Sequence, residues 1–110
     1  MELAQRKCTT YQAGSPPITR KETFELLTDV PGWSLENGHL TRQFELHNSG
    51  QSIDFFNEIM KIATQEGQIP DIYLRESHYV RVSFYTYPAG GLTINDFIMA
   101  AKINTLNRAQ

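Results

Sequence analysis

The sequence holds a single cysteine, Cys8, and no CxxC or Cys/His cluster. An intrachain disulfide is therefore excluded, and a structural zinc site has no ligand set. A lone thiol fits a reducing compartment. A basic excess is missing too: 10 Lys and Arg stand against 12 Asp and Glu, for a net charge of −2. The bulk field thus does not favour a general nucleic-acid binder. No apolar run approaches the roughly 18 residues of a membrane span. The opening MELAQRKCTT has no apolar core like that of a signal peptide. Internal repeats and low-complexity stretches are absent. A cytoplasmic protein is expected, with no metal, no cofactor and no membrane association. What remains is an ordinary chain of 110 residues, 40% hydrophobic, which suits one compact domain with a modest core. Chains of this size often gain stability by oligomerising.

Residues 1–18 are polar and end in Gly14-Ser15-Pro16-Pro17, which reads as an N-terminal arm ahead of one domain at 19–110. Thr19-Arg20-Lys21-Glu22 fits a capping box, and Phe24, Leu27 and Val30 follow at helical spacing until Pro31-Gly32. Asn37-Gly38 between alternating runs predicts a hairpin of Trp33–Glu36 with His39–Leu46. On its second strand Leu40, Phe44 and Leu46 point one way and Thr41, Gln43 and Glu45 the other, with Arg42 on the apolar side near an edge. Ser52 is the expected cap of a helix whose apolar face is Ile53, Phe56, Ile59, Met60 and Ala63, widened by Phe55 and Ile62 and ended by Gly67. Ile72–Arg75 and His78–Tyr87 predict a second hairpin turning at Glu76-Ser77. Thr93 to Asp96 then opens a last helix, which packs through Phe97, Ile98, Met99 and Ala101. Two hairpins separated by a helix give an α+β fold, a four-stranded antiparallel sheet with helices on one face.

Strand alternation assigns Val80, Val82, Phe84 and Thr86 to one face of the last strand and Tyr79, Arg81, Ser83, Tyr85 and Tyr87 to the other. On its neighbour, Ile72 and Leu74 oppose Tyr73 and Arg75. If helices cover the aliphatic side, four of the five tyrosines share the open side with two arginines. Tyr and Arg are enriched at binding hot spots, so Tyr73, Arg75, Tyr79, Arg81, Tyr85 and Tyr87 are candidate protein-binding residues. Tyrosine is also simply a good strand former, and packing or oligomer burial accounts for it equally well. Other groups read as structural. Glu22 and Glu25 are helix surface or caps, His39 and His47 surface histidines, Cys8 an inert thiol, and Gly90-Gly91 a turn.

The order and spacing of "GWSLENGHLTRQFEL", "FFNEIMKIATQEG" and "YVRVSFYTYPAGGLTINDFIMAAKIN" resemble the pterin-4a-carbinolamine dehydratase family, from Thr19 to Leu106. That family's active site uses a His-His-Pro after the second helix and a third His at the end of the last strand. Here those places hold Gln68-Ile69-Pro70 and Tyr87, or a residue one step from it. His78 lies in the hairpin turn. Dehydrating a carbinolamine needs one proton delivered to the leaving hydroxyl and another removed from nitrogen. Imidazole does both near neutrality. Gln and Ile do not titrate, and a tyrosine with a pKa near 10 is a poor base at about pH 7. No catalytic residue is therefore assigned.

A scaffold without these histidines resembles the dehydratase-like Rubisco assembly factors of α-carboxysome gene clusters. The resemblance implies a non-catalytic, chaperone-like homodimer or higher homo-oligomer that binds the Rubisco large subunit, in the cytoplasm or with the carboxysome. The alternatives are a pterin-4a-carbinolamine dehydratase, including one with a displaced site using His78, Glu76 or Tyr87, and a nucleic-acid accessory role for the aromatic face.

Overall fold

The computed structural model describes residues 2–106. Helix α1 (Arg20–Leu27) starts on the expected capping box, in which Thr19 Oγ1 accepts from the Glu22 N–H at 3.1 Å and Glu22 Oε1 accepts from the Thr19 N–H at 2.9 Å. Strands β1 (Ser34–Glu36) and β2 (His39–Glu45) join through Asn37 and Gly38, both at positive φ, as a tight hairpin of this type demands. Helix α2 (Ser49–Glu66) is followed by β3 (Asp71–Arg75), β4 (Tyr79–Phe84) and α3 (Ile94–Asn104). The sheet runs β1-β2-β4-β3, antiparallel throughout. It is an α+β fold whose helices pack on one face of the sheet.

That face carries Leu40, Phe44, Val80, Val82 and Phe84, all buried against Phe55, Ile59 and Ala63 of α2 and Phe97 of α3. Trp33 closes one end, edge-on to Phe44 at 6.1 Å, with its indole N–H donating to Asn104 Oδ1 at 2.8 Å. Arg42 sits on this apolar face, half-buried. Its guanidinium lies 4.4 Å from the Phe44 ring and donates to Asn104 Oδ1 and to the Pro31 carbonyl. Gly32 permits this: a Cβ there would fall 2.6 Å from the guanidinium carbon.

Three sequence expectations move. Asn48, not Ser52, caps α2, its Oδ1 accepting from the Gln51 N–H at 2.8 Å, while the Ser52 hydroxyl turns back to the Asn48 carbonyl. The buried stripe of α2 is Ser52, Phe55, Ile59 and Ala63, leaving Ile53 and Phe56 exposed beside Leu74 on the outer edge. Phe24 of α1 is likewise exposed, under the Arg20 guanidinium, because Thr23 takes the inward position. In α2 two apolar stripes compete, and the sheet selects one.

Helix α3 is buried on nearly every side from Asn95 to Ala101. A helix apolar all round needs cover on its outer face as well. The N-terminal arm supplies it. Leu3, Ala4 and Cys8 pack against the core, and Lys102 Nζ donates to the Ala4 carbonyl at 2.9 Å. The last four residues of the domain expected at 19–110 lie outside the described residues.

Candidate functional site

Two polar surfaces meet at the end of β4. The strand stops at Phe84 rather than continuing to Tyr87. Thr86 bridges to Gly91, and Tyr87–Ala89 wind into a short 3-10 turn. The alternation predicted through Tyr87 therefore ends early.

The open face of the sheet keeps Tyr73, Arg75, Tyr79 and Arg81 together. It forms a shallow hollow of about 430 Å³. Its arginines are not free cations. Arg81 pairs with Glu36 of β1, and Arg75 lies 3.7 Å from Glu76 and stacks over the Tyr79 ring at 5.2 Å. Asp71 and Gln43 line the same hollow, so its charge is mixed. Tyr73 is the most open ring here, at 58% exposure.

Tyr85 and Tyr87 sit elsewhere. Tyr85 stands at the rim, stacked on His39 at 4.5 Å, and its ring meets Tyr87 edge-on at 4.9 Å. Both line a second cleft of about 280 Å³, bounded by Gly67, Gln68 and Ile69 after α2, by Thr86 and Pro88, and by Cys8 to Tyr11 of the arm. This cleft gathers Gln68, Ile69 and Tyr87, the positions where the family resemblance expected imidazoles; Pro70 is buried behind them. No histidine lines it among the described residues. His78 stays in the hairpin turn, its Nδ1 2.7 Å from the Glu76 carbonyl.

The floor of the cleft is a closed polar network. Asp96, wholly buried, caps its own helix by accepting from the Thr93 N–H at 2.9 Å. Asp96 also accepts from the Thr86 hydroxyl at 2.8 Å and from Gln68 Nε2 at 2.8 Å. Thr86 and Thr93 share a further contact of 2.8 Å. Burial pushes the Asp96 carboxyl up to about 6, although its hydrogen bonds pull the other way. At the edge, Asn95 reaches Gln68 Oε1 at 3.4 Å. Among the described residues every buried side-chain polar atom has a partner. They contain no cluster of His, Cys, Asp or Glu that could hold a metal, and no helix long and apolar enough to cross a membrane. In the sequence, Thr93 and Asp96 mark only a helix start. The spacing that signals a capping box also aims a carboxylate back at the preceding strand end, and only the fold brings Gln68 to it.

Residues 16–106 match the family model described as pterin 4 alpha carbinolamine dehydratase. The chain belongs to the pterin-4a-carbinolamine dehydratase family. A Methylococcus capsulatus protein provisionally named pterin-4-alpha-carbinolamine dehydratase is 40% identical over 106 residues, covering 94% of this chain and 92% of that one. Among solved structures, a transcriptional coactivator/pterin dehydratase from Brucella melitensis superposes with a TM-score of 0.77 at 24% identity, over 82% of this chain and 97% of that one. A pterin dehydratase-like protein described as a RuBisCO assembly factor in the alpha-carboxysome gives 0.55 at 18%, over 71% and 89%. At such identities the two structures share the fold with this dehydratase-family chain.

Proposed function

We propose that this chain binds a 4a-hydroxylated reduced pterin in the Gln68–Tyr87 cleft and dehydrates it slowly, with hydroxyl groups backed by Asp96 standing in for imidazole. The observation behind this reading is the buried Asp96, whose proton is held up to about 6 and whose partner Thr86 lines the cleft. A proton passed from Asp96 through the Thr86 hydroxyl reaches the leaving oxygen. The carbon–oxygen bond breaks as the neighbouring nitrogen lone pair forms the C=N bond. The nitrogen then gives up its own proton to the same relay, and water leaves. The relatives at 32–40% identity that bear the dehydratase name favour this reading over a purely structural role. Asp96 does not reach the substrate; it acts through Thr86 as a positioning and proton-holding group. The test is turnover of a carbinolamine generated in situ. A rate above the spontaneous reaction, falling as pH rises through about 6 and lost in Asp96→Asn, is expected. A rate equal to the spontaneous one removes the proposal.

A second reading has its own observation: positions 68, 69 and 87 carry no imidazole. It makes the chain a non-catalytic binder whose open face, through Tyr73, Arg75, Tyr79 and Arg81 with Tyr85 and Tyr87 at the rim, grips a protein. The Rubisco large subunit is the candidate, since a protein of this fold is described as a RuBisCO assembly factor, with carboxysome association to match. A second copy of the chain fits the free edge of β3. Paired antiparallel about Tyr73, Asp71 faces Arg75 of the other copy, and exposed Leu74 faces Ile72. Co-purification with Rubisco large subunit that survives in wild type and fails in Arg81→Glu supports this reading; unchanged capture in that variant removes it.

A further inference from the structure

The arm is more than a cover for α3. Its backbone is held at successive points by side chains of the globule. Glu66 Oε1 accepts from the Cys8 N–H at 2.8 Å. Asn95 then takes both polar groups of the next residue, its Oδ1 accepting from the Thr9 N–H at 2.9 Å and its Nδ2 donating to the Thr9 carbonyl at 2.6 Å. Further on, the Gly14 N–H donates to the Pro88 carbonyl and the Ile18 N–H to the Leu92 carbonyl. The same Asn95 amide contacts Gln68 on the cleft floor. Cys8 to Tyr11, of which Cys8 and Thr9 are pinned in this way, line the cleft together with Tyr85 and Tyr87. With the arm in place the cleft still measures about 280 Å³, room for a flat bicyclic ring against the tyrosine side.

We propose that residues Cys8–Tyr11 are the closing wall of the ligand site, so that a flat heteroaromatic ligand is held between the arm and the Gln68–Tyr87 side and docks the arm more firmly as it binds. Asn95 is the coupling residue, joining the arm backbone to Gln68. The ligand class rests on the pterin reading above; the arm's part in the site does not.

Cys8 reports the arm directly, because it is the chain's one thiol. Its Sγ lies 3.7 Å from the Asn95 carbonyl, and burial together with the Glu66 carboxylate pushes the thiol up to about 12. The experiment follows alkylation of Cys8 in the 110-residue chain, with and without 7,8-dihydropterin, whose own fluorescence reports its binding. Native labelling is expected at least ~100-fold slower than in the urea-unfolded chain, since the thiolate is the reacting form. Dihydropterin should slow it further. Asn95→Ala should speed labelling and weaken dihydropterin binding, each about tenfold. Thr9→Pro, which removes the arm's N–H donor to Asn95 and fixes φ at residue 9, repeats the test without changing a side chain of the globule. Native labelling as fast as in the unfolded chain overturns the docked arm. Dihydropterin that binds but leaves labelling unchanged, or quickens it, overturns the wall. No dihydropterin binding in wild type or variants sinks the pterin reading and the arm's role around such a ligand, while the labelling rates still decide whether the arm is docked.

Discussion

The cleft floor and the open sheet face meet where β4 ends and use similar polar side chains, yet they are built to opposite rules. In the floor, Thr86, Thr93 and Asp96 bond to one another out of water, and half-buried Gln68 joins them from the cleft side. On the face, the Arg81–Glu36 and Arg75–Glu76 pairs remain largely in solvent. A buried network rigidifies its members and makes each expensive to remove. A solvated pair contributes little and leaves its side chains free to change partners. Stabilising contacts therefore concentrate in the cleft floor, while the side chains of the face remain free to change partners.

The strongest way to break this contrast is to return imidazole to the cleft. Gln68→His, Ile69→His and Tyr87→His together should raise carbinolamine dehydration by at least about 10²-fold, each acid–base group being worth ~10²–10⁴. Initial rates measure this, and no gain would show that the cleft does not seat the substrate. Next comes Asp96→Ala, which strands the Thr86 hydroxyl, the Thr93 N–H and the Gln68 amide. A loss of about 3 kcal/mol is expected in urea unfolding, against less than ~0.5 for Tyr73→Ala.

The pH dependence sharpens the same point. Asp96 moves from 3.8 to about 6 on folding. Between those values the folded chain keeps a proton that the unfolded chain has released, so stability falls as pH rises through the window. The Asp96 contribution is on the order of 3 kcal/mol, and the difference between wild type and Asp96→Asn isolates it. A difference that is flat from pH 4 to 6 would mean that the carboxylate is as well solvated folded as unfolded. The smallest effect belongs to the face: Arg81→Ala should cost under about 1 kcal/mol and lose even that in high salt.

Much of the frame was legible. The Asn37-Gly38 turn, the Thr19 capping box and the Gly67 stop each rest on a local conformational demand, and each stands where it was read. The α2 stripe was harder, since Ile53 and Phe56 satisfy helical periodicity as well as Phe55 and Ile59 do. Gln68, Ile69 and Tyr87 were marked through their resemblance to family positions. The bonds of Gln68 to Thr86 and Asp96, and of Asn95 to the arm, were not legible, because they span from 18 to 86 residues of chain.

By itself the sequence determined the order of elements, the two hairpins, the single unpaired thiol and the lack of imidazole at 68, 69 and 87. These depend on residue identity and short-range geometry. Tertiary structure alone decided that β4 ends at Phe84, turning Tyr87 to the cleft, and that a polar arm covers an apolar helix. It also decided that Asp96 is stripped of water and holds its proton longer. Burial is a property of the packed whole, and no window of the chain carries it.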